Sequence, residues 1–156
     1  MRFLGVDYGR RRVGLALSDD TGTLARPWRT LLVTGAPRAV ADAIGEALDA
    51  ARADVLDTIE IGAIVLGLPR RLNGEDTDQT AVVRQLAGDL RTRTGVPVHL
   101  QDERLTSREA ESRLAERERD WRARKARLDA AAAAIILQDY LDSPAAALER
   151  GITTSD

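Results

Sequence analysis

Cysteine is absent from this 156-residue chain, and histidine occurs once, as His99. The first absence excludes disulfides and thiolate metal sites. The second excludes multi-histidine zinc centres. Nothing around His99 resembles a nucleophile elbow, so serine–histidine chemistry has no support, and His99 reads as structural. Aromatic residues make up only 3% of the chain. Such residues are favoured anchors at protein interfaces, so a monomer is the expectation. The basic side chains are arginines apart from Lys125. No stretch is long enough to span a bilayer, and Phe3-Leu4-Gly5-Val6 is too short for a secretory signal. A cytoplasmic protein with no membrane partner is expected.

Apolar residues account for 44% of the sequence and charged residues for 31%, which suits one soluble globular domain with a core of its own. The net charge is −2, but the charges are unevenly placed. Residues 42–60 carry Asp42, Glu46, Asp49, Asp54, Asp57 and Glu60 against Arg52 alone. Residues 119–127 carry Arg119, Arg122, Arg124, Lys125 and Arg127 against Asp120 alone. Arg10-Arg11-Arg12 and Arg70-Arg71 form two further basic clusters. Solvated loops and phosphate contacts both fit this distribution.

Residues 2–8 read as a buried strand, and the alternation of Val13, Leu15 and Leu17 marks a second one after a hairpin at Gly9–Arg12. A third strand is expected near 28–33. Pro37 opens a helix whose apolar face, Val40, Ile44, Leu48 and Ala51, runs to about residue 52. Ile61–Leu68 is a continuous apolar run, as in a strand covered on both faces. Asp76 with Gln79 reads as a capping box for a helix to about 93, and Val98–Gln101 as a last short strand. Thr106 with Glu109 is a second capping signature for a helix to about 117. Residues 118–124 either continue that helix or form a mobile loop, and 125–141 are strongly helical. The fold class is therefore α/β, a mixed five-stranded central sheet flanked by helices. One domain spans 1–142, and the tail 143–156 is expected to be partly disordered.

Three acidic positions stand out. Asp7 lies at the end of an apolar strand, where a carboxylate is costly unless it is paired or binds a metal. Alternation puts Phe3, Gly5 and Asp7 on one face. A strand cap that starts the turn at Gly9 is the other reading of Asp7. Asp129 shares a helix side with Ala132, Ala133 and Ile136. The nearly bulkless run Ala130–Ala134 lets that helix lie very close to the sheet and brings Asp129 towards Asp7. A favourable acid in a first helical turn explains Asp129 equally well on its own. At the end of the last strand, Asp102 and Glu103 point to opposite faces, and periodicity does not say which faces Asp7.

Four segments together resemble the bacterial YqgF-like family, whose members are described as Holliday junction resolvases or pre-16S rRNA nucleases. They are Gly5-Val6-Asp7-Tyr8-Gly9-Arg10-Arg11-Arg12-Val13-Gly14-Leu15-Ala16-Leu17-Ser18-Asp19, then Val65-Leu66-Gly67-Leu68-Pro69 leading to Asn73-Gly74. Asp102-Glu103-Arg104-Leu105-Thr106-Ser107 and Asp129 to Gln138 complete the set. The chain carries Arg11 where the family usually has lysine, and Arg70 where it usually has an apolar residue. A lone Asp-x-Gly is shared with sugar kinases and actin-like ATPases, but those need a second domain that 156 residues do not supply.

The resemblance implies a ribonuclease H-like fold with Asp7, Glu103 and Asp129 as catalytic and metal-binding acids. It selects Glu103 over Asp102. It also implies a metal-dependent endonuclease, using magnesium or, as a substitute, manganese. In the two-metal scheme the ions sit about 3.5–4 Å apart. Arg10, Arg11, Arg12, Arg104 and Lys125 are the expected nucleic-acid contacts. Trp121 reads either as a base-stacking or as a packing residue, and Thr106 as a helix cap. Precursor rRNA is the favoured partner, in maturation of the 5′ end of pre-16S rRNA. Branched DNA, as a Holliday junction resolvase would bind, is the alternative, and a non-catalytic nucleic-acid-binding module is a third reading.

Overall fold

The computed structural model describes residues 1–53, 60–69, 73–102 and 121–149, with only the helical backbone for 121–128. The strands are β1 (Arg2–Tyr8), β2 (Arg12–Ser18), β3 (Ala25–Leu32), β4 (Ile61–Leu68) and β5 (Val98–Asp102). The helices are α1 (Pro37–Ala53), α2 (Asp78–Thr94), α3 (Trp121–Leu141) and α4 (Pro144–Glu149). The strands form one sheet in the order β3-β2-β1-β4-β5. β1 and β3 run antiparallel to β2, while β4 is parallel to β1 and β5 is parallel to β4. This is the mixed five-stranded sheet that the sequence reading expects.

Alternation along the strands sorts the core into two layers. Leu4 and Val6 of β1, Val13 and Leu15 of β2, and Ile64 and Leu66 of β4 pack with Val40, Ile44 and Leu48 of α1 and Val83, Leu86 and Leu90 of α2. Phe3, Ala16, Ala63 and Val65 point the other way, onto Ala133, Ile136, Leu137 and Tyr140 of α3. β4 contributes to both layers, which is why its sequence is apolar without interruption. The α3 side of the sheet is floored by small residues, so one long helix covers it.

Three boundaries differ from the sequence reading. β3 begins at Ala25 rather than near 28. Pro27 is tolerated because β3 is an edge strand and the ladder shifts register between Leu15 and Ala16. At the start of α2 the box is formed by Thr77 and Thr80, one residue beyond Asp76 and Gln79. The Thr77 N–H donates to Thr80 Oγ1 (2.8 Å), and the Thr80 hydroxyl donates to the Pro69 carbonyl (2.6 Å). That second bond ties the helix start to the end of β4, and it decides the register. Gly95, at φ 73°, closes α2 with its N–H on the Arg91 carbonyl. Finally, beyond α3, Pro144–Glu149 is helical with Ala146 buried. The helix expected from Thr106 to 117 lies outside the described residues.

Candidate active site

Asp7 sits near the C-terminal end of β1, half-buried and opposite Gly14 of β2. Phe3 and Gly5 below it meet α3, so Asp7 belongs to the α3 face by alternation. A Cβ on Gly5 would lie 2.8 Å from Cβ of Leu137 and 2.9 Å from the carbonyl oxygen of Ala133. A Cβ on Gly14 would overlap the carbonyl oxygen of Asp129 outright and lie 2.9 Å from the Ala130 nitrogen. The helix backbone thus rests directly on two bare strand positions. Facing Cβ positions across an antiparallel pair are about 5 Å apart. The main chain of Asp129 therefore lies near the position beside Asp7, in the tight approach to the sheet expected from the alanine run.

Asp129 itself is half-buried, with its Oδ2 atom sealed from solvent. A buried carboxylate oxygen is costly unless a donor or a cation meets it. The donor set consists of hard oxygens, which matches magnesium or manganese rather than a soft metal. Among the described residues no group of three or more acidic or histidine side chains could hold an ion. Glu103, the third expected acid, lies outside the described residues. Its neighbour Asp102 is informative. Val98 and Leu100 belong to the α1/α2 layer, whereas His99 stacks on Tyr140 of α3 with ring centroids 5.2 Å apart. Asp102 follows Val98 and Leu100 onto the face opposite Asp7.

The three hairpin arginines are not equivalent. The Gly9 N–H closes the turn on the Arg12 carbonyl (2.9 Å), leaving Arg10 and Arg11 exposed and Arg12 half-buried. Arg104, Trp121 and Lys125 lie outside what is described of side chains, as do Arg70, Arg71 and Thr106. His99 has the structural surroundings expected of it: Nε2 lies 2.9 Å from Glu149 Oε2, and the Tyr140 hydroxyl donates to the same oxygen at 2.6 Å. Gly14 is the residue that sequence reasoning passed over. A glycine inside the alternation of Val13, Leu15 and Leu17 was the available signal for a backbone approach.

The family model described as "RuvX: Holliday junction resolvase" matches residues 1–143. The chain belongs to the RuvX family. Its likeness to other proteins covers nearly all of both partners. A protein of Anaeromyxobacter sp. (strain Fw109-5), provisionally named a pre-16S rRNA nuclease, is 44% identical over 142 residues, 91% of this chain and 97% of that one. A protein of Maridesulfovibrio salexigens with the same provisional name is 40% identical over 141 residues, covering 90% and 98%. Among solved structures, Thermus thermophilus RuvC in complex with a Holliday junction substrate aligns over 91% of this chain and 96% of that chain, at 17% identity and a TM-score of 0.43. RuvX membership marks the chain as a nuclease. Among the described residues no helix is long and apolar enough to cross a membrane.

Proposed function

We propose that this RuvX-family nuclease is a metal-dependent endonuclease acting in the cytoplasm on precursor rRNA, at the 5′ end of pre-16S rRNA. The observation that supports this reading is the seating of the Asp129 main chain on Gly14, the residue paired with Asp7. Asp7, Glu103 and Asp129 would hold divalent ions, magnesium or manganese. When bound, such ions lower the pKa of a water and stabilise the departing oxygen. Asp7, on the central strand, is suited to bridge between the other two acids. The orientation of Asp102 away from Asp7 supports Glu103 as the third. Arg10, Arg11, Arg12, Arg104 and Lys125 would hold the backbone of the nucleic acid without reading its sequence.

Cleavage assays on matched precursor-rRNA, single-stranded and four-way-junction substrates, with magnesium or manganese, test the reading. Scission of the precursor that is lost in Asp7→Asn is expected. Full turnover by purified Asp7→Asn, cleared of host nucleases, would remove the site assignment.

A second reading is favoured by the family description: resolution of Holliday junctions. A resolvase nicks two strands related by the two-fold axis of the junction, which calls for two active sites in a dimer. We favour a monomer on precursor rRNA because the apolar residues are largely used in one core and aromatic anchors are few. A two-to-one complex on a junction in sedimentation, with paired symmetric nicks, would promote the resolvase.

A further inference from the structure

Arg10, Arg11 and Arg12 are consecutive, yet the fold treats the last one differently. Arg10 and Arg11 are exposed, whereas the Nη1 atom of Arg12 is buried and makes no hydrogen bond. Arg12 begins β2, two residues before Gly14. Val13 and Leu15 enter the α1/α2 layer and Ala16 the α3 layer, so Arg12 shares the α3 face with Gly14 and, across the ladder, with Asp7. Diagonal neighbours on one face lie about 7–8 Å apart, within reach of a long side chain.

A guanidinium keeps its charge in proteins and carries five donors. Burying one of its nitrogens without an acceptor is costly, and a purely structural arginine on this face would pair with a carboxylate. Arg12 forms no ion pair among the described residues although two acids lie on its side of the sheet. Buried polar groups left unsatisfied in a folded protein concentrate at sites completed by a ligand. The ligand this group fits is an anion with oxygen acceptors, arriving on the face of the sheet that carries Asp7. Arg10 and Arg11, with no such burial, suit flanking phosphates in solvent.

We infer that Arg12 is a catalytic residue: its guanidinium binds a non-bridging oxygen of the scissile phosphate and stabilises the charge that builds there during attack. This rests on the reading of Asp7 and Asp129 as the active site. In the step, the oxygen of water bonds to phosphorus and the bond to the leaving oxygen breaks. The proton released by the water passes to solvent or to the leaving oxygen. Arg12 stays protonated throughout and contributes charge alone.

Turnover of the full chain on precursor rRNA and on a four-way junction, with magnesium, separates the alternatives when paired with thermal melting. Arg12→Gln is expected to lower kcat roughly 100-fold on whichever substrate is cleaved, with KM within about twofold. Its Tm should equal or exceed that of the unaltered chain, because an unsatisfied buried cation is removed. Arg10→Gln and Arg11→Gln should instead raise KM and flatten the dependence on salt. A higher KM with kcat preserved in Arg12→Gln overturns the inference, and so does a lowered Tm, which would make Arg12 structural. If neither substrate is cleaved, the melting comparison alone decides in the same sense. Asp7→Asn runs alongside: its full turnover would sink the site reading itself, a result distinct from any behaviour of Arg12.

Discussion

Two stretches of α3, around Asp129 and at the C-terminal end, meet the sheet under different rules. At the C-terminal end, the Gln138 side chain accepts from the Ala25 N–H (2.9 Å) and donates to the Thr23 carbonyl (2.9 Å) and to Asp142 (3.0 Å). Tyr140, Glu149 and His99 close a second set of bonds two residues on. The neighbouring turn is held by Asp19, which accepts from the Thr21 hydroxyl at 2.7 Å and from the N–H groups of Thr23 (2.8 Å) and Leu24 (3.2 Å). Nearer the middle of the helix, the Asp129 main chain is jammed against Gly14, the residue paired with Asp7, and a buried guanidinium nitrogen of Arg12 has no acceptor. The C-terminal stretch satisfies its polar groups and fixes the helix. On the proposed function, the stretch at Asp129 is completed only when a cation and a phosphate arrive.

The sharpest way to break this contrast is to push the helix away. Gly14→Ala puts a methyl group where the Asp129 carbonyl oxygen sits, and backbone cannot rotate aside as a side chain can. We expect a loss of about 3 kcal/mol or more, read from urea midpoints, together with loss of cleavage. Unchanged stability would mean that the helix does not ride on Gly14.

Asp7→Asn should act on function without harming the fold. Cleavage should fall by about a thousandfold, equivalent to roughly 4 kcal/mol of barrier. The metal-free protein should melt at the same temperature or higher, since repulsion between neighbouring acids is relieved. A clear drop in melting temperature would assign Asp7 to the scaffold.

The far end should show the reverse. Tyr140→Phe removes the hydroxyl bonded to Glu149 and should cost about 1 kcal/mol while cleavage stays unchanged. A change in kcat larger than the change in stability would mean that the two stretches are coupled.

The smallest effect concerns Asp19. Burial pushes its carboxyl slightly upward, but hydrogen bonds from Thr21, Thr23 and Leu24 outweigh it and hold the pKa below the ordinary 3.8. A depressed pKa stabilises the fold above the unfolded-state value, and that contribution disappears as pH falls through the folded-state value. The difference in urea midpoint between the unaltered chain and Asp19→Asn should be small at pH 7 and shrink below about pH 4. A difference that grows in acid would contradict these bonds.

Much of this contrast was legible in the sequence. Val13, Leu15 and Leu17 displayed their alternation, Ile61–Leu68 its continuous burial, and Ala130–Ala134 its lack of bulk. Asp7 stood out as an acid ending an apolar strand. The start of α2 was not legible, because Asp76 with Gln79 and Thr77 with Thr80 satisfy similar local patterns and only the bond to Pro69 separates them. The helix at Pro144–Glu149 depends on contacts from Glu149 to His99, fifty residues away, which no local pattern displays. Gly14 escaped for the same reason, as did the difference between Arg12 and its neighbours Arg10 and Arg11. Their significance lies in what crosses over them, and a strand sequence does not name its cover.

Binding of the divalent cation itself tests the central claim most directly. Melting temperatures should be followed as magnesium or manganese is added to the unaltered chain, Asp7→Asn, Asp129→Asn and Asp19→Asn. A cation bound only by the folded state raises stability in proportion to RT ln(1 + [L]/Kd). The unaltered chain and Asp19→Asn should both gain stability with added metal, and Asp7→Asn and Asp129→Asn should each lose that gain. An undiminished gain in either Asp7→Asn or Asp129→Asn would show that Asp7 and Asp129 do not share a metal.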